Sequence, residues 1–411
     1  MIGTADVGHS LRSLSAASVG DDGALPIPFA RVAVSPSARA AVERVLDSGW
    51  LTMGPEVARF EDDFAAYVGA EHAVAVSSCT AGIELALRAL ELPAGSRILT
   101  STLTFCGAVQ AIIHAGHVPV LCDVNAATLM PDARTIGEAV ARTGKVDAMV
   151  LVHFAGHPAP VEECATAAGL PASRIVEDAA HALGAYDGDR HIGTGSAASC
   201  FSFYATKNLP IGEGGMVTTP DDRLADSLRR MRLHGMSQDA WERYLPGGSW
   251  RYDVTAAGLK ANMTDVQAAI GRAHLGDFPG WQIRRQEIAE RYDAALTSVR
   301  GVQLPERPAR GGHAWHLYVI RIQRAFGRTR NELFRELGLM GIQCSVHFIP
   351  VHRLTHFAAL TSGAYPNADA AFEEVLSLPL HQWLSDADVD RITNAIDSFV
   401  DPTNRRGAEP S

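Results

Sequence analysis

From about residue 55 onward, apolar positions recur at two alternating spacings, and the alternation predicts a succession of helices and strands. "GPEVARFEDDFAAYVG" repeats its apolar residues at helical spacing, with Pro55 placed for a first turn. "HAVAVSS" is a short β-rich run, and "TAGIELALRALEL" after it is patterned as a helix. The alternation continues through the strand "SRILTS", the helix "FCGAVQAIIHAG" and the strand "VPVLCDV". Farther on, "VDAMVLVHF" and "RIVEDAA" read as buried strands with the helix "PVEECATAAGL" between them. "AASCFSFYA" and "GGMVTT" complete the set as a hairpin across a glycine turn. Strands alternating with helices in this way imply a largely parallel sheet covered on both faces. This large unit is placed at 33–275. "FPGWQIRRQEIAERYDAALTSV" predicts a long connecting helix. The segments "HAWHLYVIRI" and "GIQCSVHFIP", with a helix ending "VDRITNAIDSFV", predict a smaller α+β unit over 276–405.

Composition narrows the function more than the fold. The 411 residues are 47% hydrophobic and 20% charged, ordinary for a globular protein of this size. A net charge of −10 argues against a nucleic-acid-binding surface, which needs a basic face. A small anionic substrate held by a few local cations stays open. The six cysteines are scattered, without a CxxC pair or a His/Cys metal spacing, and read as reduced core residues of a cytoplasmic protein. No apolar run approaches the roughly 18 residues that span a bilayer. Residues 1–32, rich in Ser, Gly, Ala and Asp at their start, read as a flexible N-terminal extension without the pattern of a signal peptide. Residues 406–411 read as a tail.

In mixed α/β units, ligands meet the carboxyl ends of the strands. Four such ends here carry unusual chemistry. "VSSCTAG", residues 76–82, leads small hydroxyl residues into a helix start, where free N–H groups and the helix dipole suit a phosphate; a simple N-cap is the competing reading. "STLTF" ends in Phe105, which core packing would also explain. "IVEDAAHALGA" puts Glu177 and Asp178 at the end of a hydrophobic strand, where a buried carboxylate must find a partner. "FSFYATK" supplies Ser202 and Lys207. Pyridoxal phosphate requires all four together: an amine for its aldehyde, an anion cradle, a flat apolar face, and a carboxylate for its pyridine nitrogen.

These motifs resemble those of the DegT/DnrJ/EryC1/StrS sugar aminotransferases. The likeness runs from about residue 30 through "SGWLTMGPEVARFE", "SSCTAGIELAL", "EDAAHALGA", "FSFYATKNLPIGEGGMVTT", "RLHGMSQDAWERY", "GLKANMTDVQAAIG" and "SVHFIPVH". It implies the α/β fold of type I pyridoxal-phosphate enzymes, with a mostly parallel seven-stranded sheet and a smaller C-terminal domain. It also implies a cofactor that passes through the pyridoxamine phosphate form, and a homodimer whose active sites are shared. Carried over, the resemblance makes Lys207 the residue that bonds the cofactor aldehyde and moves the proton. Asp178 meets the pyridine nitrogen, Phe105 stacks on the ring, and Thr80, Ser202 and the N–H groups from Cys79 to Ala81 hold the phosphate. The implied reaction passes an amino group from an amino acid, by analogy glutamate, to a nucleotide-linked keto-sugar or a related keto-cyclitol.

Three departures from the family pattern stand out. Cys79 occupies a position usually held by glycine, and His181 one often held by glutamine, a donor to the ring hydroxyl. "GLKANM" follows a Lys-x-Asn variant, so Asn262 from a second subunit is expected at the phosphate, with Lys260 as competitor. Met53 and Gly54 resemble a family loop leading to the active site, and His347 one approaching the sugar, where a core histidine is the competing reading. Arg232 and Arg251 are candidates for a diphosphate or a donor carboxylate, against the default of exposed arginines. "GEGG" reads as a tight hairpin turn. A sugar dehydratase of the same fold carries histidine in place of the lysine, so Lys207 argues against it. A non-catalytic pyridoxal-phosphate-binding regulator is disfavoured by the negative charge.

Overall fold

The computed structural model describes residues 25–237, 250–359 and 363–400. Most of the N-terminal extension, the "RLHGMSQDAWERY" motif beyond residue 237, and the tail lie outside the described residues.

The strands are β1 (His72–Val76), β2 (Arg97–Ser101), β3 (Val118–Cys122), β4 (Ala148–Val152), β5 (Ile175–Asp178), β6 (Tyr186–Asp187), β7 (Arg190–His191), β8 (Ala198–Ser202), β9 (Gly215–Thr219), β10 (Val302–Gln303), β11 (Tyr318–Ile322) and β12 (Val375–Leu378). The helices of the first half are α1 (Pro36–Ser48), α2 (Pro55–Val68), α3 (Cys79–Ala89), α4 (Cys106–His114), α5 (Ala133–Thr143), α6 (Val161–Ala168) and α7 (Asp222–Met231). Seven strands form one sheet in the order β1-β9-β8-β5-β4-β2-β3, with β9 antiparallel to both neighbours and the other pairs parallel. A second sheet, β10-β11-β12, is antiparallel.

Side-chain alternation along the strands explains why both faces are covered. In β1, Ala73 and Ala75 pack with α2, while Val74 and Val76 pack with α3 and α7. In β8, Phe201 faces the first group, and Ala198 and Cys200 the second. Phe64 of α2 meets Phe201 and Phe203 edge-on at 5.2 and 5.5 Å, which anchors the strand end from which Ser202 and Lys207 depart. Removing a buried ring such as Phe64 typically costs about 3–5 kcal/mol.

The hairpin between β8 and β9 forms, but its connection occupies residues 203–214 and carries Lys207. Only Gly212 of the "GEGG" run has a positive φ, 97°. A Cβ on Gly215 would lie 2.7 Å from the Cys79 nitrogen and 2.8 Å from the Phe201 oxygen. The run is therefore no tight turn; its last glycine lets β9 approach the start of α3.

The long helix begins earlier than its apolar pattern predicts, at Asp265, and continues to Leu296. Thr264 and Gln267 cap it reciprocally, and Pro279 sits inside it. Its first half packs on the large sheet through Leu275 and Phe278, and its second on the smaller core through Ile288, Tyr292 and Leu296. Position 275 thus lies inside a continuous helix. At the N-terminus, residues 25–32 depart from the expected loose extension. Ile27 is buried in the smaller core, its N–H bonds Gly341 O at 2.8 Å, and its carbonyl accepts from Gln343 N–H at 3.0 Å.

Candidate active site

The carboxyl ends of β1, β2, β4, β5 and β8 open into one cavity of about 420 Å³, within the size range of small-molecule sites. At the end of β1, Ser78 caps α3 by accepting the Ala81 N–H at 3.1 Å. Ala81 therefore has no free N–H, which corrects its place among the anion donors. The N–H groups of Cys79 and Thr80 make no hydrogen bond among the described residues, and both residues line the cavity. A Cβ on Gly107 would fall 2.7 Å from the Thr80 hydroxyl and 3.1 Å from the Phe105 ring. Glycine there lets the start of α4 close over the start of α3, and Phe105, just before α4, stays 59% exposed.

Asp178 ends β5 and is buried. Its Oδ1 accepts the Ala180 N–H at 3.1 Å and lies 3.6 Å from Cys79 Sγ, while its Oδ2 makes no hydrogen bond among the described residues. Burial pushes its pKa up; the Ala180 N–H and the Lys207 charge oppose that. Ser202 ends β8 and reaches the same cavity. Lys207 follows a turn closed by its N–H on Tyr204 O at 2.8 Å. Its amine has no hydrogen-bond partner among the described residues, and burial pulls its pKa down to about 8 although the Asp178 charge opposes this. An unpartnered amine, a carboxylate with one open oxygen and a pair of free helix N–H groups share this cavity. That donor set fits an aldehyde-bearing pyridine phosphate.

His181 lines the cavity with a determined tautomer. Its Nδ1 accepts the Ala155 N–H at 3.2 Å, and burial, helped by Lys207, keeps the ring neutral. The proton therefore sits on Nε2. Ala155 adopts a left-handed φ of 58° while making this contact.

Other expectations separate. His347 lines the cavity, with Nδ1 2.8 Å from Ser377 Oγ and its pKa lowered by burial to about 4. Asn262 and Lys260 bond each other at 2.7 Å and do not line this chain's cavity, although Asn262 is bridged to Val76 at the end of β1. Met53 is packed in the core with Val57 and Phe60, and the Gly54 N–H bonds Asp265 at 2.7 Å; neither lines the cavity. Arg232 is buried against Glu61 and the Ala75 carbonyl, so it is not available to a substrate anion. Arg251 lies over the Trp250 ring at 5.6 Å, outside the cavity lining.

The sequence reading missed His153, His316, Phe348 and Phe29, all of which line the cavity. His153 follows β4 as Ser202 ends β8, so the strand-end rule that singled out Asp178 applied to it too. Nothing local marked Phe29, which arrives from the N-terminal segment.

A family model described as the DegT/DnrJ/EryC1/StrS aminotransferase family matches residues 34–397. Spore coat polysaccharide biosynthesis protein SpsC of Bacillus subtilis (strain 168) is 42% identical over 379 residues, 91% of this chain and 97% of that protein. The crystal structure of DesV from S. venezuelae superposes with a TM-score of 0.83 at 32% identity, covering 92% of this chain and 99% of DesV. Spr1654 from Streptococcus pneumoniae, solved in its PLP form, has a TM-score of 0.83 at 29% identity, covering 91% and 98% of the two chains.

Proposed function

The chain belongs to the DegT/DnrJ/EryC1/StrS aminotransferase family, a family of sugar aminotransferases, and on that premise we propose that it carries an amino group from L-glutamate to the ketone of a nucleotide-linked sugar or a related cyclitol. The cofactor, pyridoxal phosphate, supplies an aldehyde that exchanges amines and a ring that draws electrons from the carbon losing its proton. What carries the reading is the unpartnered Lys207 amine in one cavity with the open oxygen of Asp178.

In this reading Lys207 Nζ, lowered to a pKa of about 8, removes the proton from the donor's α-carbon in the first half-reaction. In the second it delivers a proton to the former ketone carbon of the sugar. Asp178 Oδ2, open in the cavity, would hold the pyridine nitrogen protonated, while the Ala180 N–H fixes the orientation of the carboxylate. His181 donates from Nε2 to the ring hydroxyl, as a glutamine amide would, because Ala155 occupies its other nitrogen. Thr80, Ser202 and the N–H groups of Cys79 and Thr80 hold the phosphate at the start of α3. Phe105 covers one ring face. Asn262 of a second copy approaches the phosphate in a homodimer, a reading that rests on the family resemblance.

The test is spectroscopic. Protein saturated with pyridoxal phosphate gains a visible absorption band, and glutamate bleaches it. Retention of the band with glutamate and with the other common amino acids would refute amino transfer and leave cofactor binding alone.

A further inference from the structure

We infer that Phe29 is a specificity-determining residue of the acceptor subsite, where its ring carries the apolar face of the sugar. This rests on the sugar-aminotransferase reading above. The cavity lining joins two kinds of residue: Lys207, Asp178, Thr80 and Ser202, and the ring-bearing Phe29, His347, Phe348 and His316. With the cofactor held by the first set, the rings of the second are left for the acceptor.

Phe29 belongs to a segment that is firmly held. Besides the two backbone bonds of Ile27 to Gly341 and Gln343, Arg391 Nη1 donates to Leu25 O at 2.7 Å. Ile27, with 2% exposure, pins the chain two residues before the ring. Phe29 then stacks on His347 with centroids 5.5 Å apart and planes at 28°, and both rings line the cavity. His347 is oriented from behind by Ser377. Burial keeps His347 uncharged at neutral pH, and the charge of Lys207 acts in the same direction. The wall is therefore aromatic and carries no charge of its own. Such a wall suits the C–H face of a pyranose and offers no cation to the carboxylates of glutamate. Binding energy from this wall would distinguish the acceptor from the donor.

The experiment uses the full chain saturated with pyridoxamine phosphate, and calorimetric titration with UDP-glucose, dTDP-glucose and GDP-glucose as unreactive probes. Phe29→Ala should weaken the best of these about tenfold, the scale of one aromatic contact, and Phe29→Trp should restore it to within about threefold. A second readout is the ratio of half-reaction efficiencies in one preparation, glutamate bleaching against recovery with UDP-4-keto-6-deoxyglucose or dTDP-4-keto-6-deoxyglucose. Phe29→Ala should shift that ratio about tenfold against the sugar, through the sugar concentration needed for half-saturation. Unchanged probe binding in Phe29→Ala, or equal losses in both half-reactions, would overturn the inference. If the unaltered protein bleaches with glutamate yet binds none of the three probes, the nucleotide-sugar reading itself falls, and the acceptor wall with it.

Discussion

Nε2 of His153 lies 2.7 Å from Oε2 of Glu177, and both side chains are buried beside the strand end that carries Asp178. The Ala159 N–H donates to His153 Nδ1 at 2.9 Å, which leaves the proton on Nε2 to be donated to the carboxylate. Ser199 Oγ donates to the other oxygen at 3.0 Å. Burial pushes the pKa of Glu177 up, but His153 and the serine hydroxyls prevail and hold it below the usual carboxylate range.

His153→Ala should leave that carboxylate buried without its main donor. The expected loss is about 3 kcal/mol in urea unfolding at neutral pH. Because Glu177 is depressed in the folded protein, its stabilisation is present above its unfolded pKa and fades as pH falls through the folded value. The deficit of the variant should therefore shrink below about pH 4. Equal midpoints for the two proteins at neutral pH would contradict the arrangement.

In the proposed role, Lys207 would have to be neutral to add to the cofactor aldehyde. With its pKa near 8, the rate at which apoprotein gains the visible band should climb with pH and level off above about 8. Below that value the slope should approach about tenfold per pH unit. Lys207→Ala should show no band at any pH. A flat rate profile from pH 6 to 9 would mean that this amine is not the reacting group.

His181 is assigned a donor role that needs one N–H and no charge. His181→Gln should keep donor half-reaction rates within about threefold, while His181→Ala loses about tenfold or more. Since the buried ring stays neutral across the working range, His181→Gln and the unaltered protein should share one pH profile between 6 and 8. Stopped-flow bleaching with glutamate measures both, and an acid limb present in the unaltered protein but lost in the glutamine variant would show that the histidine titrates.

Asp265 accepts three backbone N–H groups, those of Gly54 at 2.7 Å, Glu56 at 3.2 Å and Val57 at 3.1 Å, from inside the core. Asp265→Ala should cost about 2–3 kcal/mol by leaving these donors unpaired. Asp265→Asn, which keeps an acceptor oxygen, should recover part of it. Thermal melts that do not separate the two variants would show the carboxylate contributes only through its bulk.

Much of the site was legible because its residues sit at, or just beyond, the carboxyl ends of buried strands. Asp178, Ser202 and Lys207 could be picked from their positions after apolar runs, and the cavity brings them together. Residues whose neighbours are distant in sequence were not legible in that way. Arg232 follows an amphipathic helix and read as exposed, but Glu61, from α2, draws it inward. Met53 and Gly54 resembled an active-site loop, and Asp265, more than 200 positions away, ties that loop to the long helix instead.

The sequence by itself determined the succession of elements and the character of the strand ends. Side-chain burial at period 2 or 3.6 is a local property, and so is the chemistry of a residue that follows a buried run. Only the tertiary structure decided which rings from elsewhere in the chain line the cavity. Phe29, His316, His347 and Phe348 arrive from three separate segments, and their convergence depends on packing between cores. Tertiary contacts also decided which nitrogen of His181 carries the proton, since the Ala155 N–H that selects it comes from another loop.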